Sequence, residues 1–367
     1  MKKVYFNATI LNNKPTGLGV YTINILKRLD KYEILDTVIF NNIKEERRYS
    51  YLVKNAKTTN IQNNNKFNAF YRSYLLNKFI KSINNPSDII LYSPTQHGVK
   101  YKEVHQIITI HDLIPIFYPS GRWHQYIYYK FILPNIIKNS DKIITISNNT
   151  RKDIIKYYKI DVKKIDVIYN GYNAPKVVDK EKSIKYIYDK YKLKDYLLMV
   201  GINYKYKNLH NVIKAYAQIR KDIDNKLAIV GNYNNSYGKE LKTLVEKLNL
   251  SESIIFLGYV NDDDLEKLYQ AAKIFIYPSL YEGFGLPPLE AMANGTLVLC
   301  SNSSSLPEVI GKGGIMFNPN SIEYIKQKVL SAYNYDINTI NLYKNFAYEN
   351  ILRFNWDHTV KKIYNLL

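Results

Sequence analysis

Residues 274–293 read Ile274-Phe275-Ile276-Tyr277-Pro278-Ser279-Leu280-Tyr281-Glu282-Gly283-Phe284-Gly285-Leu286-Pro287-Pro288-Leu289-Glu290-Ala291-Met292-Ala293. A short apolar run closed by a proline has the length and composition of a buried strand. Gly283 and Gly285 then mark a loop, and the prolines at 287 and 288 suit a first helical turn, where a missing N–H removes no intrahelical bond. Glycines let backbone N–H groups approach a ligand closely, and the helix N-terminus favours an anion there. Glu282 in the loop and Glu290 about one turn into the helix can face one crevice. Two carboxylates flanking a phosphate would repel it, so their natural partners are sugar hydroxyls. Taken alone, the segment also fits a capped helix with two solvated glutamates.

The same alternation extends outward in both directions. Apolar runs near 3–7, 37–40, 89–93, 107–111, 142–146 and 165–168 predict strands in the first half. Runs near 196–200, 227–230, 254–257, 274–277, 297–300 and 314–316 do so in the second. Helical periodicity falls between them, including 18–30, 66–83, 124–139 and 148–158, then 207–220, 237–249, 262–272, 286–294, 321–333 and a broken 339–366. Alternating strands and helices imply parallel sheets with right-handed crossovers, so the fold class is α/β with two doubly wound, Rossmann-like domains. Ligands in such sheets bind at the carboxyl ends of the strands. The polar stretch Asn170-Gly171-Tyr172-Asn173-Ala174-Pro175 and the Lys-rich residues after it are the expected link.

Length and composition agree with two domains. The chain has 367 residues, 46% hydrophobic, with 36 Tyr, 13 Phe and 2 Trp, which excludes intrinsic disorder. One cysteine, Cys300, excludes a disulfide scaffold and fits a reducing cytosol, so a cytoplasmic location is expected. No apolar run has the length of a membrane span, and Met1–Ile10 lacks the apolar stretch of a secretory signal. The net charge is +20, and residues 1–175 carry 27 basic and 12 acidic side chains, leaving only +5 for the remainder. A basic first half points to an anionic partner: a membrane surface, nucleic acid or a phosphorylated substrate.

The frame P-S-x-Y-E-G-F-G-L-P-P-L-E-A-M-A, with seven residues between Glu282 and Glu290, resembles the signature of the retaining glycosyltransferases of family 4. That resemblance implies the GT-B fold, with two Rossmann-like domains and an interdomain cleft that holds the donor. It implies that Glu282 binds a hydroxyl of the donor sugar, that Phe284 lies beside the donor, that Gly285 and Leu286 offer N–H groups to its diphosphate, and that Glu290 holds the ribose. Further segments resemble the family in order along the chain. Pro15-Thr16-Gly17-Leu18-Gly19-Val20-Tyr21 is similar to the glycine loop at the donor phosphate, which assigns Gly17 and Gly19 to it. Ile108-Thr109-Ile110-His111-Asp112 places His111 near the anomeric centre and 6-hydroxyl of the sugar, with Asp112 orienting the loop. In Val200-Gly201-Ile202-Asn203-Tyr204-Lys205-Tyr206-Lys207, Lys207 matches the phosphate-binding lysine. The family's accompanying arginine is missing, and Lys205 is positioned in sequence to reach the same phosphates. Ile255-Phe256-Leu257-Gly258-Tyr259 is similar to the turn around the nucleotide base, bringing in Tyr259.

The resemblance divides the chain into an acceptor-binding domain at 1–170, a nucleotide-sugar-binding domain at 171–350 and a C-terminal helix at 351–367 that crosses back to the first. The implied reaction moves a hexose, mannose as the first choice, from a nucleotide-diphosphate sugar to a glycan or lipid-linked glycan acceptor in polysaccharide synthesis. The donor is GDP-linked as first choice, then UDP- or dTDP-linked. No cofactor and no metal are expected: the histidines lack metal-ligand spacing, and Asp262-Asp263-Asp264 opens a helix, where aspartates serve as caps. The stretch Lys66–Lys81, aromatic and basic at helical spacing, is a core-facing helix or an interfacial one on anionic lipid, at the inner face of the membrane. No nucleic-acid partner is expected. The rival readings are a GT-B epimerase or sugar-phosphate synthase, and a non-catalytic basic binding protein.

Overall fold

The computed structural model describes residues 2–63, 69–175 and 179–367. Among them, thirteen strands form two all-parallel sheets. The first contains β1 (Lys3–Asn7), β2 (Leu35–Phe40), β3 (Lys57–Asn60), β4 (Ile89–Ser93), β5 (His105–Ile110), β6 (Lys142–Thr145) and β7 (Ile165–Val167), in the order β3-β2-β1-β4-β5-β6-β7. The second contains β8 (Leu197–Val200), β9 (Leu227–Val230), β10 (Ile254–Gly258), β11 (Ile274–Tyr277), β12 (Leu297–Ser301) and β13 (Ile315–Phe317), in the order β10-β9-β8-β11-β12-β13. The chain divides into two compact units, residues 1–171 with 355–367, and residues 172–354.

Both sheets are doubly wound, as the alternation of apolar runs implies. Strands such as Leu227-Ala228-Ile229-Val230 are buried along their whole length because helices cover both faces. The helix Leu209–Ile219 shows how the cover is made. Its buried residues Leu209, Val212, Ile213, Tyr216 and Ile219 recur every three or four positions and so share one face. In the first unit, the C-terminal helix Trp356–Tyr364 buries Val360 and Ile363. The Thr359 hydroxyl donates to the carbonyl of Tyr169 at 2.7 Å.

Each sheet reverses its strand order once, between β1 and β4 in the first and between β8 and β11 in the second. Connections leave in opposite directions from these points, so the carboxyl ends of the two central strands border a crevice. The first crevice gathers residues after Asn7 and Ser93, and the second gathers residues after Val200 and Tyr277.

Three local expectations need correction. Lys57–Asn60 is an edge strand, although Lys-Thr-Thr-Asn carries no apolar run; it is recruited by pairing with β2. The Lys-rich residues after the link form the helix Lys180–Tyr191, capped by Asp179, because Ser183 and Ile187 supply a narrow buried face. The aspartate run does begin the helix Asp262–Ala271, but the cap is the Asn261 side chain, which accepts from the Asp264 N–H. Asp264 itself is buried and accepts from Tyr186, Lys190 and Tyr191 of the helix Lys180–Tyr191 at 2.7–2.9 Å. Of the stretch 66–81, residues 66–68 lie outside the described residues. The rest forms the helix Ala69–Lys81, burying Leu76 and Ile80 in the core and exposing Tyr71 and Tyr74.

Candidate active site

The loop after β11 runs from Pro278 into the helix Leu286–Ala293. Gly285 caps that helix with φ of +125°, a conformation that strains any side chain; an added Cβ would also come within 2.8 Å of Leu306. The loop is held from two sides. Ser304 Oγ accepts from the Glu282 N–H at 2.7 Å, while Ser305 Oγ donates to the carbonyls of Glu282 and Phe284 at 2.9 and 2.7 Å. From the turn after β8, the carbonyl of Tyr206 accepts from the Leu280 N–H at 2.8 Å, and Asn208 Nδ2 donates to the carbonyl of Pro278 at 3.2 Å. The Glu282 loop and the Lys207 turn are thus one braced structure across the switch point of the second sheet.

At its centre, Lys207 Nζ lies 2.6 Å from Glu282 Oε1 and 2.9 Å from Tyr277 Oη, and the Tyr277 hydroxyl donates to the same Oε1 at 2.8 Å. Glu282 is 8% exposed. Burial works to deprotonate Lys207, but the adjacent Glu282 carboxylate and the Tyr277 and Tyr206 hydroxyls outweigh it and hold the ammonium form firmly. Burial, reinforced by Glu282, likewise keeps Tyr277 protonated. The result is a positioned carboxylate: both bonds fall on Oε1, which leaves Oε2 to accept from a ligand hydroxyl. The helix N-terminus at Gly285 and Leu286 supplies N–H donors and a positive dipole end in the same loop.

Glu290 stands one turn inside that helix, where Tyr269 donates to Oε2 at 3.3 Å. Burial pushes its carboxyl up to about 7, the Tyr269 bond opposing and the charges of Asp262 and Glu266 adding to it. An elevated folded-state value means that the folded chain holds a proton that the unfolded chain has released. Glu290 therefore costs stability as pH rises from about 4.5 to 7, and that cost is absent at lower pH. Urea unfolding of wild type and Glu290→Gln across that window is expected to show the stability of the wild type falling relative to the variant by about 3 kcal/mol, the histidines contributing equally to both. Parallel curves would contradict the assignment.

Other predicted residues are placed as follows. Lys205 opens the same short turn but pairs with Glu240 at 3.3 Å, with its side chain 73% exposed. The Phe284 ring is buried edge-on against Phe354 at 5.4 Å, so it packs the loop, and only its backbone faces a ligand role. Tyr259 follows Gly258 at the end of β10 with its ring 84% exposed, open to stacking.

In the first unit, Gly17 begins the helix Gly17–Leu29 with open space where a Cβ would project, whereas a Cβ on Gly19 would meet Pro15 at 2.7 Å. His111 follows β5 and is 6% exposed. Its Nε2 sits 2.9 Å from the carbonyl of Pro94, which only accepts, so the ring proton is on Nε2 and Nδ1 carries the lone pair. Burial, against the pull of the Pro94 bond, lowers its pKa to about 4, so the ring is neutral and an acceptor at pH 7. Asp112 Oδ1 accepts from the Ile114 N–H at 2.8 Å and shapes the following turn.

The sequence reading missed Tyr277, Ser304 and Ser305. The serine run 303–305 follows β12, the strand beside β11, and that position is the signal that could have found two of them.

Comparison with known proteins assigns this architecture. Residues 180–351 match the model for glycosyl transferases group 1, and residues 15–175 match the model for glycosyltransferase family 4. The chain joins a glycosyltransferase family 4 domain to a glycosyl transferases group 1 domain. Two similar relatives of this glycosyltransferase are O-antigen mannosyltransferases. One is the O-antigen chain mannosyltransferase RfbU of Salmonella typhimurium, 27% identical over 98% of both chains. The other is O-antigen chain mannosyltransferase B of Escherichia coli, 28% identical over 90% of both. Among solved structures, Anabaena HepE in complex with UDP and glucose superposes over 100% of this chain and 99% of its own, with a TM-score of 0.74 at 18% identity. That likeness establishes the GT-B fold. Among the described residues no group of three or more His, Cys, Asp or Glu is arranged to hold a metal, and no helix is long and apolar enough to cross a membrane.

Proposed function

We propose that this glycosyltransferase moves mannose from a nucleotide-diphosphate donor, GDP-mannose first, to a glycan of a surface polysaccharide, with retention of anomeric configuration and without a metal. The Lys207–Tyr277–Glu282 constellation carries the reading. In it Lys207 and the N–H groups of Gly285 and Leu286 take the place a metal would otherwise hold against the departing diphosphate, an electrostatic role worth a few kcal/mol per positioned donor. Glu282 Oε2 and the neutral His111 accept from sugar hydroxyls, and Glu290 accepts from the ribose. No carboxylate in the site is assigned as a nucleophile; the resemblance to the family implies that the leaving phosphate itself helps deprotonate the acceptor on the face it departs from. The mannose choice rests on the mannosyltransferase activity for which the O-antigen relatives are named.

A thermal-shift panel with GDP, UDP, dTDP, ADP and CMP tests the donor. A nucleotide at 100 times its dissociation constant is expected to stabilise the protein by about 2.7 kcal/mol, and GDP is expected to stand apart. Equal silence from all five would overturn the reading of the site.

The first unit is the proposed face toward an anionic membrane. Trp123, Ile127 and Phe131 are exposed at four-residue spacing, and Tyr74 is exposed on a helix that also carries Lys78 and Lys81. Cosedimentation with phosphatidylglycerol vesicles, released by salt, is the expected result; equal binding to neutral vesicles would contradict it.

A further inference from the structure

The switch point of the first sheet holds polar groups that the donor chemistry does not use. Asn7, ending β1, donates through Nδ2 to Ser93 Oγ at 2.9 Å and to the carbonyl of His97 at 2.6 Å, tying the loop after β4 to β1. Gly98 presses that loop on its neighbours so closely that a Cβ would lie 2.4 Å from Gln106 Oε1. Gln106 in turn satisfies both backbone groups of Val99. The backbone here is rigid and bonded, but the side chains are not. Gln96 and His97 are 5% and 8% exposed, yet among the described residues Gln96 Oε1 and His97 Nδ1 have no partner, and neither does the buried Nε of Arg72.

Gln96 and His97 are in contact, and Arg72 is near enough for its charge to act on the His97 ring. Gln96 Nε2 lies 3.4 Å from His97 Nε2, and either orientation of the amide leaves one amide atom and one ring nitrogen unspent. The amide NH₂ donates in the orientation observed, so the ring proton sits on Nδ1 as a free donor. Tyr128 closes the other side, its hydroxyl donating to the carbonyl of Gln96 at 3.2 Å and its ring 4.9 Å from that of His97. Burial, then the charge of Arg72, hold His97 neutral. Arg72 is a permanent cation, and among the described residues it makes no ion pair with a carboxylate. A half-buried cation whose Nε is shut off from solvent and an unpaired buried N–H donor are costly unless something pairs with them.

We propose that Arg72, Gln96 and His97 form an anion subsite at the carboxyl edge of the first sheet that takes a phosphate or diphosphate group. Arg72 donates to the phosphate oxygens with charge assistance, His97 Nδ1–H adds a neutral donor, and Gln96 Oε1 accepts from a hydroxyl carried beside the phosphate. This rests on the transferase reading and specifies the acceptor as one that bears phosphate, whether on a polyprenyl carrier or on a soluble sugar phosphate.

Pyrophosphate binding by calorimetry tests it in the Lys207→Met/Glu282→Gln double variant, which lacks the charged pair of the donor site. Binding is expected to persist there and to weaken by roughly tenfold or more on adding Arg72→Gln. In the wild-type protein, the His97 ring nitrogen resonances are expected to move with pyrophosphate, a readout that stands even where Arg72→Gln fails to fold. Binding lost in the double variant, or His97 resonances that stay still, overturns the proposal. Pyrophosphate binding with no response to any nucleotide sustains this subsite while refuting the donor reading; the converse refutes the subsite alone. Geranyl diphosphate that binds more tightly than pyrophosphate assigns the phosphate to a lipid carrier, and equal affinity assigns it to a soluble ester.

Discussion

A Glu282→Gln chain is expected to fold and bind nucleotide while losing sugar transfer by about two to three orders of magnitude, the scale of removing one preorganised electrostatic contact. Glutamine keeps an oxygen for Lys207 and Tyr277, so the hydrogen bonds at 2.6 and 2.8 Å keep an acceptor. What disappears is the negative charge. A neutral amide accepts more weakly from a sugar hydroxyl, and its other atom becomes an NH₂ that cannot accept at all. The variant also leaves Lys207 buried without a counter-charge, so the ammonium loses the interaction that overcomes burial and its pKa is expected to fall. Transfer assayed with saturating donor, beside nucleotide affinity, separates these effects. A folded Glu282→Gln protein with full activity would remove Glu282 from the mechanism.

Lys207→Ala is expected to be more damaging to the fold. The pair is shielded, with side-chain exposures of 17% and 11%, and removing one member of such a pair leaves an uncompensated carboxylate. The cost is about 3–5 kcal/mol, which lowers the unfolding midpoint of a unit this size by on the order of 10 °C. Nucleotide affinity is expected to fall as well, because the cation facing the diphosphate is gone. The Lys207→Met/Glu282→Gln double variant discriminates. Replacing both partners is expected to restore most of the stability, since neither charge is then stranded, without restoring transfer. If the double variant is as unstable as Lys207→Ala, the braced loops rather than the ion pair carry the stability.

The degree to which the site was legible followed the kind of interaction involved. The Glu282 loop, the helix at Leu286 and the turn at Lys207 were readable because glycine, proline and strand-ending patterns act through local backbone chemistry. The fate of Lys205 was not, since Glu240 lies 35 positions away in sequence and meets it only once the helix Ser236–Lys247 is in place. Phe284 has the residue type of a ligand contact, yet its ring is taken by Phe354, a partner that no spacing rule could name. Lys57–Asn60 and Lys180–Tyr191 escaped for a related reason. Their local patterns are weak, and pairing with β2 or anchoring by Asp264 decides them.

The α/β class, the two doubly wound sheets and the loops that border the crevices are legible in local pattern, because hydrophobic period and turn chemistry operate over a few residues and need no distant partner. It takes the folded chain to set Glu282 Oε1 between Lys207 and Tyr277, to keep His111 neutral with its proton on Nε2, and to bury Gln96 Oε1 and His97 Nδ1 without a partner among the described residues. Those facts concern charge, tautomer and satisfaction of buried polar atoms, and they depend on neighbours that packing brings together within each sheet's own unit.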